Sequence, residues 1–315
     1  MQYGFGIDLG GTTVKLAYFN TDGELLYKWE IPTRTANKGA QILPDIAASI
    51  REFLDGKQIP NSQIIGIGIG VPGPVDQQGV VYGCDNLGWG TFNVQDALSG
   101  LTGFPVRAGN DANMAALGEC WKGGAQGCED LVMVTLGTGV GGGIVLGGKP
   151  LFGVRGAAGE LGHMVLNREE TEACGCGKHG CAEQYCSATG VVRLAKRYLS
   201  ANDTPSVLRR MKDFACKDVF SAAEDGDIAA NVILEQYYSL LGEFLANVCA
   251  VLNPRLVLLG GGVSKAGDVL VTGVLPHFQH HAFHGVADTQ ICLATLGNDA
   301  GAYGAFYLAL QAFGK

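Results

Sequence analysis

The chain has 315 residues, of which 47% are hydrophobic and 17% are charged, a composition typical of a folded α/β protein and not of a disordered one. Its formal net charge of −8, without a basic stripe, argues against nucleic acid as a partner. No apolar run reaches the ~20 residues of a membrane span and no signal-peptide pattern opens the chain, so we expect a cytoplasmic protein whose ten cysteines are reduced.

The first half of the chain predicts a meander of strands followed by helices and further strands. Apolar residues recur at helical spacing between positions 40 and 54, whereas Ile and Gly alternate between positions 64 and 71 as in a buried strand. Pro72-Gly73-Pro74 should end that strand and begin a loop that runs to about Asn93. The predicted strands are residues 3–9, 14–20, 24–31, 64–71 and 106–108, and the predicted helices are residues 40–54 and 111–121.

The second half repeats this plan, which indicates two α/β domains of related topology with a boundary near Gly118. An irregular stretch is expected at residues 153–181, between the strands and the helices of this half. The predicted strands are residues 131–136, 141–146, 256–259 and 291–293, with a further one near Leu151, and the predicted helices are residues 228–252 and 300–312.

Two glycine-rich segments, each between paired strands, are typical of hairpins that bind phosphate. Glycine lets backbone N–H groups approach an anion, hydroxyls add donors, and a neighbouring carboxylate can hold Mg²⁺ through water. An ordinary hairpin turn would explain the first segment alone, but its recurrence favours nucleotide binding. The residues predicted to bind the nucleotide are Asp8, Gly10, Gly11, Thr12 and Thr13 in the first segment and Gly137, Thr138 and Gly139 in the second.

A third glycine run follows the strand at residues 256–259. Gly260-Gly261-Gly262 lies between that strand and a helix expected to begin near Ser264. Bare backbone at such a junction can admit a flat purine or a ribose. The motif is weak alone, but its position after the second phosphate hairpin predicts an adenosine site at Gly261 and Gly262.

Asn110 and Asp111 open a predicted helix directly after a short strand. Asn and Asp often cap helices, and taken alone the pair is best explained in this way. The functional alternative makes Asp111 a general base that takes a proton from an attacking hydroxyl, while Asn110 orients the same substrate.

Three cysteines and a histidine form the most specific local pattern in the chain. Three thiolates and an imidazole can complete a tetrahedral zinc site, and the glycines between the cysteines permit the tight turns required. Free thiols in a loop are the alternative, and His179 could replace His163 as a ligand. The predicted zinc ligands are His163, Cys174, Cys176 and Cys181.

Two carboxylates flank this cysteine pattern. Glu160 precedes His163 by three residues, and Glu183 follows Cys181 by two. A bound zinc would fix both acids, and carboxylates accept directional hydrogen bonds from adjacent hydroxyls, so a sugar is the expected ligand. The alternative for Glu183 is an ordinary position in the first turn of a helix.

Together these motifs resemble those of the ROK family of sugar kinases and repressors, and in particular its bacterial glucokinase branch. The resemblance extends over nearly the whole chain, and its cysteine motif is highly specific. The matching segments are Asp8-Leu9-Gly10-Gly11-Thr12, Gly109-Asn110-Asp111-Ala112-Asn113, Leu136-Gly137-Thr138-Gly139, Gly159-Glu160-Leu161-Gly162-His163 and Cys174-Gly175-Cys176-Gly177-Lys178-His179-Gly180-Cys181-Ala182-Glu183.

The resemblance implies an actin-like, ribonuclease-H-like ATPase fold, with two duplicated α/β domains and an interdomain cleft. It also implies that the last helix returns to the first domain, so that residues 1–117 and 299–315 form a small domain and residues 118–298 a large one. The expected reaction is transfer of the γ-phosphoryl of ATP to the 6-hydroxyl of glucose, with transient Mg²⁺, structural Zn²⁺ and a homodimeric or homotetrameric assembly. The implied catalytic base is Asp111, and the implied sugar ligands are Gly73, Asn86, Asn110, Asp111, Glu160, His163 and Glu183.

Other functions remain open at this stage. N-acetylmannosamine, N-acetylglucosamine, mannose and fructose kinases of the same family could use the same acids. A sugar-sensing repressor of the family is disfavoured because no helix-turn-helix domain precedes Asp8. An actin-like filament or chaperone ATPase would explain the phosphate hairpins but not the cysteine motif.

Overall fold

The computed structural model describes residues 2–314 and divides the chain into two compact units. The first unit runs through Leu131 and adds Gly143–Gly159 and the chain from Thr295 onward. The second unit consists of Val132–Gly142 and Glu160–Ala294. Each unit is built of strands and helices, as the sequence predicts for an α/β protein.

A five-stranded sheet in the order β3-β2-β1-β4-β7 forms the centre of the first unit. Strands β1, β2 and β3 pair antiparallel as the predicted meander, whereas β4 pairs parallel to β1 and β7 parallel to β4. Strand β4 is buried along its whole length, which explains its run of Ile and Gly. The strands are β1 (Tyr3–Leu9), β2 (Thr13–Asn20), β3 (Leu25–Pro32), β4 (Ile64–Val71) and β7 (Val106–Asn110).

The prediction of a long loop after Pro72 was wrong. Residues 80–93 form a two-stranded antiparallel ribbon of β5 (Val80–Cys84) and β6 (Trp89–Asn93) instead. Asp76 nucleates it, because its buried carboxylate accepts from the N–H groups of Gln78 and Val80 and from the Tyr82 hydroxyl. Prolines and glycines surround the two short strands, and Gly83 and Gly90 lie inside them, so the sequence indicated a loop.

Helices cover the first sheet, and the last helix of the chain packs most closely on it. A methyl carbon at Gly68 of β4 would lie 1.6 Å from the carbonyl oxygen of Ala305, so only glycine allows this approach. The interpretation of the 64–71 glycines as packing positions is therefore confirmed. The helices of this unit are α1 (Ala36–Gly39), α2 (Ile42–Lys57), α3 (Val94–Thr102), α4 (Asp111–Lys122) and α10 (Ala300–Phe313).

The second five-stranded sheet has the order β10-β9-β8-β11-β12. Strand β10 pairs antiparallel to β9, and β12 pairs parallel to β11, so the sheet repeats the plan of the first. Strand β9 is shared, since its residues through Gly142 belong to the second unit. The strands are β8 (Leu131–Leu136), β9 (Val140–Leu146), β10 (Lys149–Pro150), β11 (Leu256–Gly260) and β12 (Gln290–Leu293).

Helices make up most of the second unit, and the predicted helix at residues 228–252 is confirmed as α8. The expected irregular stretch before Cys181 contains a single short turn of 3₁₀ helix at Leu161–His163 within the described residues. No α-helix between residues 2 and 314 combines the length and apolarity that a membrane crossing requires. The helices are α5 (Glu183–Cys186), α6 (Ala188–Ala201), α7 (Cys216–Glu224), α8 (Ile228–Leu252) and α9 (Asp268–His281).

The compact units differ in their bounds from the predicted domains, residues 1–117 with 299–315 and residues 118–298. The predicted boundary lies inside α4, which is one continuous helix of the first unit. Residues 1 and 315 lie outside the described residues. The division into domains stays a prediction.

Candidate functional site

The first glycine-rich segment forms the turn between β1 and β2, and we call residues 10–12 the first tip. The N–H of Gly10 donates to the carbonyl oxygen of Thr13 at 3.0 Å and closes the turn. Thr33 contacts this turn through two hydrogen bonds. Its N–H donates to the carbonyl oxygen of Thr12, and its hydroxyl donates to the carbonyl oxygen of Gly10. Gly11 and Thr12 remain exposed, as a phosphate-binding turn requires.

Asp8 lies at the end of β1, directly opposite Lys15 in the hairpin register. The Lys15 ammonium donates to the Asp8 carboxylate at 3.2 Å, and both side chains are partly buried. Lys15 is a functional candidate that the sequence analysis missed. The alternation of side chains along a β-hairpin would have identified it, because antiparallel partners share one face of the sheet. A cation here can neutralise phosphate or hold the Asp8 carboxylate in place.

The second glycine-rich segment forms the turn between β8 and β9, and we call residues 137–139 the second tip. The N–H of Gly137 donates to the carbonyl oxygen of Gly139 at 3.0 Å, so this turn closes over one residue fewer than the first tip. Residues at the start of α6 contact this turn. The N–H of Ala188 donates to the carbonyl oxygen of Gly137, and the hydroxyl of Thr189 donates to the carbonyl oxygen of Thr138. Thr138 is exposed.

The glycines that follow β11 lie against the second tip. Gly261 has a positive φ of 83°, and a methyl carbon there would lie 2.7 Å from the backbone of Leu136. Only glycine therefore allows β11 to end beside the tip. Gly262 is exposed and lines a cavity of about 770 Å³, to which Ala188 of α6 also contributes. The structure thus brings the second tip, Gly261, Gly262 and a cavity of ligand size together within one unit.

Asn110 ends β7 and is the N-cap of α4. Its side-chain oxygen accepts from the N–H groups of Ala112 and Asn113, so the capping interpretation is confirmed for this residue. Its amide nitrogen donates to the carbonyl oxygen of Gly73 at 3.1 Å. Asp111 occupies the first helical position, where its carboxylate accepts from the N–H of Ala112.

Asn86 is exposed in the turn between β5 and β6.

The predicted zinc ligands converge on one point in the second unit. The donor atoms of His163, Cys174, Cys176 and Cys181 all lie within 4.8 Å of one another, and His179 is not part of the group. The sulfurs of Cys176 and Cys181 are 3.6 Å apart, and Nδ1 of His163 is 4.0 Å from the sulfur of Cys174. Zn–S bonds of about 2.3 Å at tetrahedral angles separate two sulfurs by about 3.8 Å. The donor set and its spacing therefore fit zinc.

Burial and backbone hydrogen bonds give the thiols different acidities. A hydrogen bond from the backbone of Lys178 lowers the pKa of the exposed Cys176, whereas burial raises the pKa of Cys181 to about 12. Metals bind thiolates, so the occupation of this site would release protons.

Glu183 begins α5 and lies between the metal-ligand cluster and the second tip. Its Oε2 accepts from the N–H of Val140 at 3.1 Å, and its Oε1 lies 3.6 Å from the sulfur of Cys174. Glu160 is exposed directly before the turn that carries His163. These contacts place an acid beside both the candidate zinc site and the candidate phosphate-binding tip.

An ion pair between a buried acid and a partly exposed arginine fastens the loop of residues 160–183, called the cysteine loop below, to α6. Glu170 accepts from both terminal nitrogens of Arg197 at 2.9 Å and from the Tyr185 hydroxyl, and Arg193 approaches it as well. The Arg197 guanidinium holds the pKa of the Glu170 carboxyl well below its usual range, although burial opposes this shift. This network fixes the loop that carries the candidate ligands, and no local sequence pattern predicts it, because Arg197 and Glu170 are 27 residues apart.

The predicted site residues fall into two groups, one for each unit. The first unit contains Asp8, Gly10, Gly11, Thr12, Thr13, Gly73, Asn86, Asn110 and Asp111. The second unit contains Gly137, Thr138, Gly139, Glu160, His163, Cys174, Cys176, Cys181, Glu183, Gly261 and Gly262. Their roles in binding and catalysis stay predictions.

Comparisons with known proteins agree on one family. The model of the ROK family matches residues 4–312. A glucokinase of Halalkalibacterium halodurans is 44% identical, over 97% of this chain and 94% of that protein. A glucokinase of Thermotoga maritima is 34% identical, over 95% of each. Among solved structures, this chain is similar to a ROK family glucokinase from Streptomyces griseus in complex with glucose and AMPPNP. The match covers 98% of this chain and 99% of that one, with a TM-score of 0.76 and 31% identity. The predicted actin-like ATPase fold is confirmed by these likenesses.

Proposed function

This chain belongs to the ROK family, and we propose that it is an ATP-dependent glucokinase that transfers the γ-phosphoryl of ATP to the 6-hydroxyl of glucose. Support comes from the glucokinases to which it is similar over almost its whole length. The same acids could bind another hexose, so N-acetylmannosamine, N-acetylglucosamine, mannose and fructose are the alternative substrates.

The position of Glu183 is the observation that carries the proposal. One oxygen of this carboxylate contacts the second tip through the N–H of Val140, and the other lies beside Cys174 of the metal-ligand cluster. An acid suited to sugar hydroxyls thus adjoins a turn suited to phosphate. A kinase needs this adjacency, because phosphoryl transfer depends on positioning and on the neutralisation of charge.

ATP is proposed to bind with its phosphates at the two tips and its nucleoside in the cavity beside Gly262. The exposed Gly11, Thr12 and Thr138 offer backbone and hydroxyl donors for the phosphates. Lys217 and Lys265 line the cavity together with Glu224 and Glu235, so its lining carries charges of both signs. Asp8, held by Lys15, is the residue that would bind Mg²⁺ through water, and Mg²⁺ would neutralise charge on the phosphates.

Zinc is proposed to be structural. His163, Cys174, Cys176 and Cys181 would hold it and so rigidify the cysteine loop. Nδ1 of His163 faces Cys174, which leaves Nε2 of the ring for a sugar hydroxyl. Glu160, Glu183, Asn110, Asn86 and Gly73 complete the proposed sugar ligands.

Asp111 is proposed to be the general base. Its carboxylate would accept the proton of the 6-hydroxyl as that oxygen attacks the γ-phosphorus. Asp111 lies in the first turn of α4, at the positive end of the helix dipole. The leaving ADP departs with the electrons of the broken P–O bond.

A coupled assay with a panel of hexoses and ATP tests the proposal. Glucose should give the highest kcat/KM, and a wild type that is inactive with every hexose would overturn the proposal.

Asp111→Ala should lower kcat by about 10²–10⁴-fold while glucose binding survives. Asp96→Ala is the matched control, because Asp96 also lies in the first turn of an Asn-capped helix, α3, and should keep normal turnover. Near-normal turnover by Asp111→Ala would remove Asp111 from its role.

The proposal includes a cytoplasmic location and a homodimeric or homotetrameric assembly. All ten cysteines are free thiols, and they lie within the described residues, which suits a reducing compartment. Sedimentation of the purified protein would determine the assembly.

A further inference from the structure

The turn at residues 85–88, called the Asn86 turn below, packs against α1 within the first unit. Nε1 of Trp89, the residue that follows the turn, donates to the carbonyl oxygen of Gly39 at 3.3 Å. Trp89 is buried, with 8% of the residue exposed. A methyl carbon at Gly39 would lie 2.6 Å from the carbonyl oxygen of Leu87 and equally close to Nε1 of Trp89. The backbone of α1 and the Asn86 turn are therefore in direct contact, and the indole hydrogen bond joins them.

Backbone strain in α1 opposes this contact. Asn37 and Lys38 have positive φ values of 54° and 58°, and Gly39 has one of 65°. Side chains disfavour the left-handed conformation because Cβ comes too close to the following carbonyl oxygen, so such residues persist only where neighbouring contacts impose them. The backbone of Lys38 lies against Gly88, where a methyl carbon would be 3.0 Å from Cα of Lys38. Contacts with the Asn86 turn thus offset a local preference, and the loss of one of them should release the turn.

The segment from Thr33 to Gly39 is also tied to the first tip. Thr33 donates to two carbonyl oxygens of that tip, as described above, and the N–H of Gly39 donates to the carbonyl oxygen of Thr35 at 3.0 Å. Trp89 therefore hydrogen-bonds a segment whose other end is fixed to the hairpin of β1 and β2. This arrangement fixes the position of the Asn86 turn relative to the first tip inside one unit.

We propose that Trp89 is a positioning residue for the sugar, because its indole N–H holds the Asn86 turn where Asn86 can bind a sugar hydroxyl. The inference rests on the proposed function, which assigns Asn86 to the sugar. A turn that is fixed before binding loses less conformational freedom when the sugar binds, so its affinity for the sugar is higher. Trp89 acts through Asn86.

The substitution Trp89→Phe removes the indole N–H and keeps an aromatic ring beside that of Phe92, which lies 5.1 Å away. The Kd of glucose, measured by calorimetry, should rise about two- to tenfold, and the KM for glucose should rise by the same factor. The kcat and the KM for ATP should not change. In the ligand-free protein the amide hydrogen of Gly88, which is bonded to the carbonyl oxygen of Asp85 at 3.0 Å, should exchange faster with solvent.

A double-mutant cycle with Asn86→Ala tests whether Trp89 acts through Asn86. Asn86→Ala alone should raise the Kd of glucose, and Trp89→Phe should then raise it no further, because the side chain that Trp89 positions is gone. An equal effect of Trp89→Phe with and without Asn86 would assign the indole to the fold of the ribbon and overturn the inference.

Trp29→Phe is the matched control in the same unit. The indole N–H of Trp29 donates to the Ser49 hydroxyl at 2.8 Å, far from the Asn86 turn in sequence. The variant should have a lower melting temperature and an unchanged Kd for glucose. A loss of glucose affinity equal to that of Trp89→Phe would attribute both effects to general destabilisation, and the inference would fail.

The outcomes separate this inference from the proposed function. A wild type that phosphorylates glucose, together with an unaltered glucose Kd in Trp89→Phe, would overturn the role of Trp89 alone. A wild type that binds glucose but phosphorylates no hexose would defeat the proposed function, while the comparison of Kd values would still decide the role of Trp89. If the wild type prefers another hexose of the panel, that hexose replaces glucose in every comparison. A wild type that binds no hexose would overturn both.

Discussion

The two tips each join neighbouring strands of a five-stranded sheet, but they differ in the size of the turn and in their surroundings. Each turn is closed by an N–H to carbonyl hydrogen bond of 3.0 Å from its first glycine, and each joins two antiparallel strands of a five-stranded sheet. The first tip is held by Thr33, which directly follows the adjacent strand β3. The second tip is held by Ala188 and Thr189 at the start of α6, about fifty residues further along the chain.

The acid near each tip also has a different origin. Asp8 belongs to the first hairpin itself and is paired with Lys15 across it. Thr135 occupies the corresponding position before the second tip, and the carboxylate there comes from Glu183, beyond the cysteine loop. The repeated strand–turn–strand plan thus explains the fold of both tips, but it does not explain which acid lies near each of them. The acid beside the second tip lies 3.6 Å from the sulfur of Cys174 in the metal-ligand cluster, whereas the acid near the first tip is paired with Lys15.

Loss of zinc should therefore disturb the second tip and leave the first unchanged. Cys176→Ser removes a ligand from the cluster, and Glu183, 3.6 Å from Cys174, loses a fixed neighbour. We expect loss of bound zinc and a 10- to 100-fold fall in kcat/KM for glucose. Metal analysis and steady-state kinetics measure both effects.

Cys128→Ser is the control for this change. Cys128 lies outside the cluster in a turn before β8, where its sulfur donates to the carbonyl oxygen of Asp130, and serine can preserve that bond. Zinc content and activity should stay at wild-type levels. A wild-type protein purified without zinc would contradict the dependence of the second tip on a metal.

The ion pair between Glu170 and Arg197 should make the stability of the cysteine loop sensitive to acid. The pKa of Glu170 is lowered in the folded state, so its stabilising contribution is complete above the unfolded value of about 4.3 and is lost as the pH falls below it. Glu170→Gln should lower the free energy of unfolding by about 2–4 kcal/mol at pH 7. The difference from the wild type should shrink as the pH falls from about 4 to 3, which urea denaturation across this range would measure.

Glu172→Gln provides the comparison for Glu170. Glu172 binds the same two arginines, but its side chain is 64% exposed against 1% for Glu170. Water screens an exposed pair, so the substitution should change stability far less. Equal losses from both substitutions would show that burial does not strengthen the Glu170 pair.

The sequence predicted the features that depend on local patterns. The helical spacing of apolar residues between positions 40 and 54 and the glycine turns of both tips are visible within short windows, and the structure has α2 and the two turns there. The spacing of the cysteine motif likewise predicted a cluster whose atoms do converge, because tight glycine turns leave few alternatives.

The features that were not predicted depend on contacts between residues distant in sequence or on the register of paired strands. Lys15 meets Asp8 only when the hairpin register is known, and Arg197 meets Glu170 across 27 residues. The ribbon of β5 and β6 was missed because each strand has only five residues and contains a glycine. No local propensity encodes these long-range contacts, since tertiary packing selects them.

Substitution of one glycine in each tip tests the comparison directly. A methyl carbon at Gly139 would lie 2.2 Å from Oε2 of Glu183, whereas one at Gly11 would meet no described atom within 4 Å. Gly139→Ala should therefore destabilise the protein by about 1–3 kcal/mol, and Gly11→Ala should change its stability by less than about 0.5 kcal/mol. If phosphates bind close to the first tip, Gly11→Ala should nevertheless raise the KM for ATP, because a methyl group would then occupy the space of the anion. Thermal melts and ATP kinetics on the two variants separate a glycine required by the fold from a glycine required by the ligand. Unchanged stability in Gly139→Ala would show that the second tip is not packed against Glu183.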